Sequence, residues 1–175
     1  IGPVAGSSHY SLYYRMPGIK IISPMTPKEY ELTYKSFMKE DEVYYVSEHR
    51  GSYDNTNELL DSLPTEADII IFAISITRFE AQKVKNILEK DGLKIGIANI
   101  LWIKPFNIKD EWVRALKKSK FGGIILDDDY KSGVASDMAY KLMKTSNKKI
   151  EIMGLKDSSA GFSKKSDNLP PNSFE

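Results

Sequence analysis

The chain contains no cysteine, which excludes disulfides, thiolate zinc sites and a cysteine nucleophile. That absence fits a reducing, cytoplasmic setting. Only two of the 175 residues are histidine, too few for a histidine-rich metal centre. Excess charge of either sign is also missing: 25 Lys and Arg against 24 Asp and Glu give a net charge of +1. With no clustered basic stripe either, neither nucleic acid nor an anionic membrane is an expected partner. The most apolar run, Ile69 to Ile74, falls far short of the roughly 20 residues of a spanning helix. There is no glycine-rich phosphate loop, no G-x-S-x-G elbow, no internal repeat and no signal peptide. The chain opens on Ile1-Gly2-Pro3 rather than methionine, so it is expected to be part of a longer protein.

What is present is a globular composition, 41% hydrophobic, arranged as alternating strands and helices. Lys20 to Ile22 reads as a short strand. Thr26, Pro27 and Glu29 are the start signals of a helix: an N-cap, a proline at the first position and a glutamate that can reach back. Its spacing predicts an inner face of Tyr30, Tyr34, Phe37 and Met38, and Val43 to Val46 reads as the next strand. Residues 51–66 are polar and rich in turn formers, and read as a linker. Beyond them Ile69–Ile74, Ile95–Leu101, Gly123–Leu126 and Ile150–Met153 read as strands. Arg78–Lys90, Ile108–Lys118 and Gly133–Thr145 read as helices, with Gly92 closing the first and Asn107 capping the second. The fold class that follows is α/β: a largely parallel sheet covered by helices on both faces, preceded by part of a second α/β domain.

Several residues invite chemistry. Asp127-Asp128-Asp129 follow a buried strand, where α/β sheets place ligands, and could hold magnesium as in a phospho-acceptor receiver domain. The plainer expectation, preferred here, is that two of the three are solvated or cap the next turn. His9 and His49 are the acid–base candidates near neutral pH, although each taken alone reads first as a hydrogen-bonded surface or interface residue. Tyr10, Tyr13 and Tyr14 could stack a ligand ring or simply pack.

The order of the segments resembles a known family. Gly2-Pro3, then Met16-Pro17-Gly18-Ile19-Lys20-Ile21-Ile22-Ser23-Pro24, then Ser47-Glu48-His49 are similar to the later pyrimidine-binding domain of transketolase-like thiamine diphosphate enzymes. Asp91-Gly92-Leu93, Asn99 to Pro105, Ile150 to Asp157 and Asn168-Leu169-Pro170 resemble that family's C-terminal domain. The nearest likeness is to the beta subunit of 2-oxo-acid dehydrogenases of the pyruvate dehydrogenase type. The resemblance implies that residues 1–50 are the trailing half of a pyrimidine-binding domain and 67–175 a transketolase C-terminal domain. It implies a 2-oxo acid or ketose as substrate, and a homodimer or an alpha/beta heterotetramer. Thiamine diphosphate and magnesium would be held mostly by residues outside this chain.

Two departures accompany the likeness. The family's active-site histidine, two residues after its Gly-Pro pair, falls at Ala5, with His9 one helical turn later as its replacement. The arginine usual before the proline of the C-terminal domain falls at Leu101. These departures leave open a second expectation, a catalytically degenerate docking or regulatory module. Finally, the resemblance offers a potassium site on backbone oxygens of Phe37, Met38, Glu40 and Glu42, where an ordinary helix end is the alternative.

Overall fold

A computed structural model describes residues 8–159 and 168–174. The element order is α1 (Tyr10–Tyr14), β1 (Ile19–Ile22), α2 (Pro27–Lys39), β2 (Val43–Val46), β3 (Ile69–Ile74), α3 (Thr77–Leu88), β4 (Ile95–Ile100), β5 (Trp102–Lys104), α4 (Asp110–Lys118), β6 (Gly123–Tyr130), α5 (Val134–Ser146) and β7 (Ile150–Leu155). Strands β4-β3-β6-β7 form one sheet, parallel throughout, and β2-β1-β5 form a second. Nearly every side chain of β3 and β4 is buried, as a parallel sheet covered on both faces requires. One face packs Phe72, Ile74, Trp112, Met138 and Leu142 against α4 and α5. The other packs Ile71, Ala73, Ile97 and Leu126 against Ala81 and Val84 of α3.

The sequence did not announce β5. The chain leaves β4 at Leu101 and pairs Trp102 and Lys104 antiparallel with Ile22 and Ile21, so one continuous run belongs to both sheets. Residues 51–66 lie along the edge of the four-stranded sheet. Ser62 exchanges backbone hydrogen bonds of 2.8 and 2.7 Å with Ile97.

Four local expectations are corrected. The α2 periodicity is present but its aromatic side faces outward: Tyr34, Phe37 and Met38 are exposed and Thr33 is the helix's only buried residue. Helix α4 starts at Asp110, with Lys109 rather than Asn107 at the cap. Strand β6 does not stop at Leu126 but runs through all three aspartates. At the start of α2, Thr26 does not cap its own helix. Its hydroxyl donates to Glu58 at 2.7 Å, and Glu58 accepts the Lys28 N–H at 3.1 Å, so the cap comes from the 51–66 segment. Glu29 does reach back, to the Met25 N–H at 2.9 Å.

A buried hydrogen-bonded chain ties the two sheets together. Arg78 of α3 is fully buried and makes a two-pronged contact with Glu29 of α2, at 2.8 and 2.6 Å. Its Nε donates to Asn99 Oδ1 at 3.2 Å, and Asn99 Nδ2 donates to the Leu60 carbonyl at 2.9 Å. The Asn99 N–H donates to Asp61, whose other oxygen accepts from Lys109 and from Trp112 Nε1. Each charge in this chain meets its opposite.

Candidate functional site

The strand order fixes where a ligand crevice belongs. From β3 the chain moves outward to β4, then returns to β6 on the other side, so the connections diverge at the carboxyl ends of β3 and β6. Two unusual features meet there. Ser75, just past β3, is buried with φ of 54°, a left-handed conformation that costs a non-glycine residue energy. Its hydroxyl faces Asp128 without a hydrogen bond of acceptable geometry. Beside it β6 bulges: Leu126 pairs with Met153 but Tyr130 pairs with Leu155, so β6 spends four residues where β7 spends two. A bulge breaks strand alternation and re-aims side chains. Gly154 permits the close approach, since a Cβ there would lie 2.6 Å from the Asp129 carbonyl oxygen.

The bulge buries the whole acidic triplet, overturning the expectation of solvated carboxylates: Asp127 is 0% exposed, Asp128 4% and Asp129 3%. Tyr10 of α1, also fully buried, fills the crevice. Its hydroxyl contacts Asp127 Oδ1 and lies 2.5 Å from Asp128 Oδ1. Asp127 Oδ1 also accepts the Asp129 N–H at 3.1 Å. Among the described residues no lysine or arginine forms an ion pair with any of the three. Burial pushes the Asp127 carboxyl well above its ordinary range, with the neighbouring Asp128 charge adding to it. Burial raises Asp128 as well, offset in part by hydrogen bonding from Tyr10 and Ser8 and by the nearby His49. The Tyr10 phenol rises too, through burial and the two carboxylates.

Helix α1 is gripped along its length. Ser11 Oγ accepts the Val134 N–H at 3.1 Å, capping α5 from another element. Tyr14 OH donates to Asp137 and accepts from Lys141 at 3.2 Å. Lys104 donates to the Tyr14 carbonyl at 3.0 Å. Tyr13 stacks on Tyr45, with ring centroids 4.4 Å apart. The tyrosines of this segment therefore pack and anchor.

The residue just before α1 is His9. It lines a cleft of about 740 Å³ with Ser8, Ser11, Arg15, Asp129, the Tyr130–Gly133 turn and residues 157–159. Asp129 brings to this cleft wall a carboxylate whose Oδ1 accepts the Tyr130 N–H at 2.8 Å and whose Oδ2 has no hydrogen-bond partner among the described residues. His49 lies outside the cleft, close enough to Asp128 for its charge to matter, and its Nδ1 accepts the Gly51 N–H at 3.0 Å. The fold thus brings both histidines to the acidic triplet, a meeting that the separate motifs did not reveal. Ala5 lies outside the described residues.

Phe37, Met38, Glu40 and Glu42 sit at the end of α2 and the turn into β2, and none of them lines this cleft. There Lys20 already pairs with Glu40 at 2.6 Å and lies 3.9 Å from Glu42. Among the described residues no group of three or more acidic or histidine side chains could hold a metal ion. The cleft itself sets one arginine against two aspartates. That donor set does not fit a diphosphate with its magnesium. Nor is any helix among the described residues long and apolar enough to cross a membrane.

No curated protein matches the sequence. Solved structures do match in fold. A split-gene transketolase described as an inactive beta4 tetramer superposes with a TM-score of 0.66 at 16% identity, over 84% of this chain and 51% of that one. The transketolase of Campylobacter jejuni subsp. jejuni gives 0.67 at 16% identity, over 94% of this chain and 26% of that one. A Pichia stipitis transketolase mutant, in complex with fructose-6-phosphate, gives 0.66 at 17%, over 94% and 25%. The chain thus spans about half the length of the first and about a quarter of the other two. The family described as "Transketolase, C-terminal domain" matches residues 60–166, a stretch holding β3 to β7, α3 to α5 and the acidic triplet. The chain belongs to the transketolase C-terminal domain family.

Proposed function

We propose that this chain is the C-terminal part of a thiamine diphosphate-dependent enzyme of the transketolase type, acting on a 2-oxo acid or a ketose. The observation that carries the reading is the cleft beyond the carboxyl ends of β6 and β7, where His9, Arg15 and Asp129 converge. Residues 1–50 act as the trailing half of the pyrimidine-binding domain and 67–175 as the C-terminal domain. The described residues do not form a diphosphate–magnesium cradle, so the cofactor's anchors belong to other parts of the protein or to a partner. This chain's own share is proton handling. His9, at the mouth of α1, gives a proton to, or takes one from, a substrate oxygen, and Arg15 orients an anionic end of the substrate.

The exposed apolar side of α2 and β2, with Tyr34, Phe37, Met38 and Val43, supports a subunit interface on this reading, in a homodimer or with a separate alpha subunit. A potassium ion on backbone oxygens of Phe37, Met38, Glu40 and Glu42 would tie the α2–β2 turn to that interface. A melting temperature that rises with potassium but not with sodium supports that site, and equal melting in both salts contradicts it.

The test is calorimetric titration of thiamine diphosphate with magnesium into the full-length protein, together with its partner subunit. Saturable binding is expected. Replacing His9 by Ala should then lower turnover about 10²-fold, while cofactor affinity holds. An unchanged rate would remove His9 from the reaction. A second reading has one observation in its favour. Leu101, at the family's arginine position, lines a largely apolar cleft with Leu32, Leu60, Trp102 and Trp112, as a docking surface would. Absence of cofactor binding in a folded full-length protein would select that reading.

A further inference from the structure

Tyr10 sits where a doubly wound sheet ordinarily admits a ligand, between the carboxyl ends of β3 and β6, and it shuts that crevice. A phenol hydroxyl has one hydrogen to give, yet its oxygen lies against a carboxyl oxygen of Asp127 and one of Asp128. If both carboxyls were ionised, one hydrogen would face two acceptors, and two negative charges would share a buried site with no lysine or arginine paired to them among the described residues. A second proton resolves the arrangement. One carboxyl then donates to the phenol oxygen while the phenol donates to the other carboxylate.

The surroundings decide which carboxyl keeps its charge. Asp128 has Ser8 and His49 beside it, and both favour its charged form. Asp127 has neighbouring charges from Asp128 and Asp129 and an Oδ2 with no hydrogen-bond partner among the described residues. Asp127, the more deeply buried of the two at 0% against 4% exposed, is assigned the proton. Tyr45 of β2 faces Asp129, whereas Asp137 and Lys141 of α5 are engaged with Tyr14, one turn further along α1.

We propose that Tyr10 is a positioning residue: its hydroxyl, held between Asp127 and Asp128 by a shared proton, latches α1 into the crevice and so fixes His9 over the cleft. The latch rests on the reading of His9 given above. Below the pH at which Asp127 ionises, α1 is docked. As pH rises, loss of that proton leaves two buried carboxylates facing one phenol, and α1 releases.

The experiment is hydrogen–deuterium exchange of the full-length protein, corrected for the intrinsic pH dependence of exchange and followed on the peptide that spans α1. Wild type should lose protection of α1 as pH rises. Asp127→Asn, which cannot ionise, should hold its protection across the same range. Tyr10→Phe should lack the protection at every pH. Protection independent of pH in the wild type would overturn the latch, as would a pH-dependent loss that survives in Asp127→Asn. Should Tyr10→Phe fail to fold, the Asp127→Asn comparison decides alone. His9→Ala with unchanged turnover would retire the role of His9 and leave the exchange result to judge the latch by itself. Where both hold, turnover should fall at high pH in wild type and persist in Asp127→Asn.

Discussion

Two buried charged clusters join the first fifty residues to the rest of the chain, and they are built on opposite principles. At the Glu29–Arg78 junction every charge has a counter-charge, and the guanidinium is satisfied by Glu29 and Asn99. At the Tyr10–Asp127–Asp128 junction no lysine or arginine among the described residues pairs with the carboxyls, and a proton serves instead. A guanidinium cannot be removed by ordinary changes of pH, whereas a carboxyl proton can. The first junction is thus a fixed tie. The second is a tie that the solvent can loosen, and it lies beside the cleft that holds His9.

The contrast can be broken from either side. The largest effect is expected at the fixed tie. Arg78→Ala strands Glu29 in a mostly buried position and should cost about 3–5 kcal/mol, read as a fall in melting temperature. The paired change Arg78→Met with Glu29→Leu should recover much of that loss, because replacing both charges removes the stranded one. Failure of the pair to recover would mean that the contact does more than neutralise charge. Next comes Gly133→Ala, which puts a Cβ 2.2 Å from Ser11 Oγ, where α1 meets the start of α5. It should cost about 1–3 kcal/mol and loosen α1 selectively, seen as faster exchange there than in α3. The smallest effect is Glu58→Ala, which removes the borrowed cap of α2 and should cost about 1 kcal/mol in a denaturant titration.

Much of the architecture could be read in the sequence, for definite reasons. The unbroken Ile69–Ile74 run, Pro27 at the head of α2 and Gly92 at a φ of 84° each carry a local signal that tertiary contacts only reinforce. The orientation of α2 was not legible, because periodicity shows that a helix has an apolar side and not what that side meets. Nor was the burial of the acidic triplet. Three consecutive aspartates have the composition of a solvated turn, and what buries them is a bulge in β6 and a tyrosine 117 residues away in sequence. One signal was available: carboxylates following a fully apolar strand fall at the carboxyl edge of a parallel sheet, where solvent access depends on what covers the crevice. His9 was singled out by residue type and by its place one helical turn after the family's histidine position, and its neighbours Arg15 and Asp129 became visible only when the chain closed on itself.

Stability against pH tests the proton-held junction most directly. Asp127 and Asp128 have folded-state pKa values raised by burial. Their contribution is therefore complete below the unfolded-chain value of about 3.9 and is lost as pH rises through the folded-state values. Melting temperatures should be measured across that range for wild type and for Asp127→Asn. The account expects wild type to lose stability with rising pH and the variant to lose distinctly less, so that the two curves diverge toward alkaline pH. Parallel curves would contradict it, and would mean that no proton is held between Tyr10 and the two carboxyls.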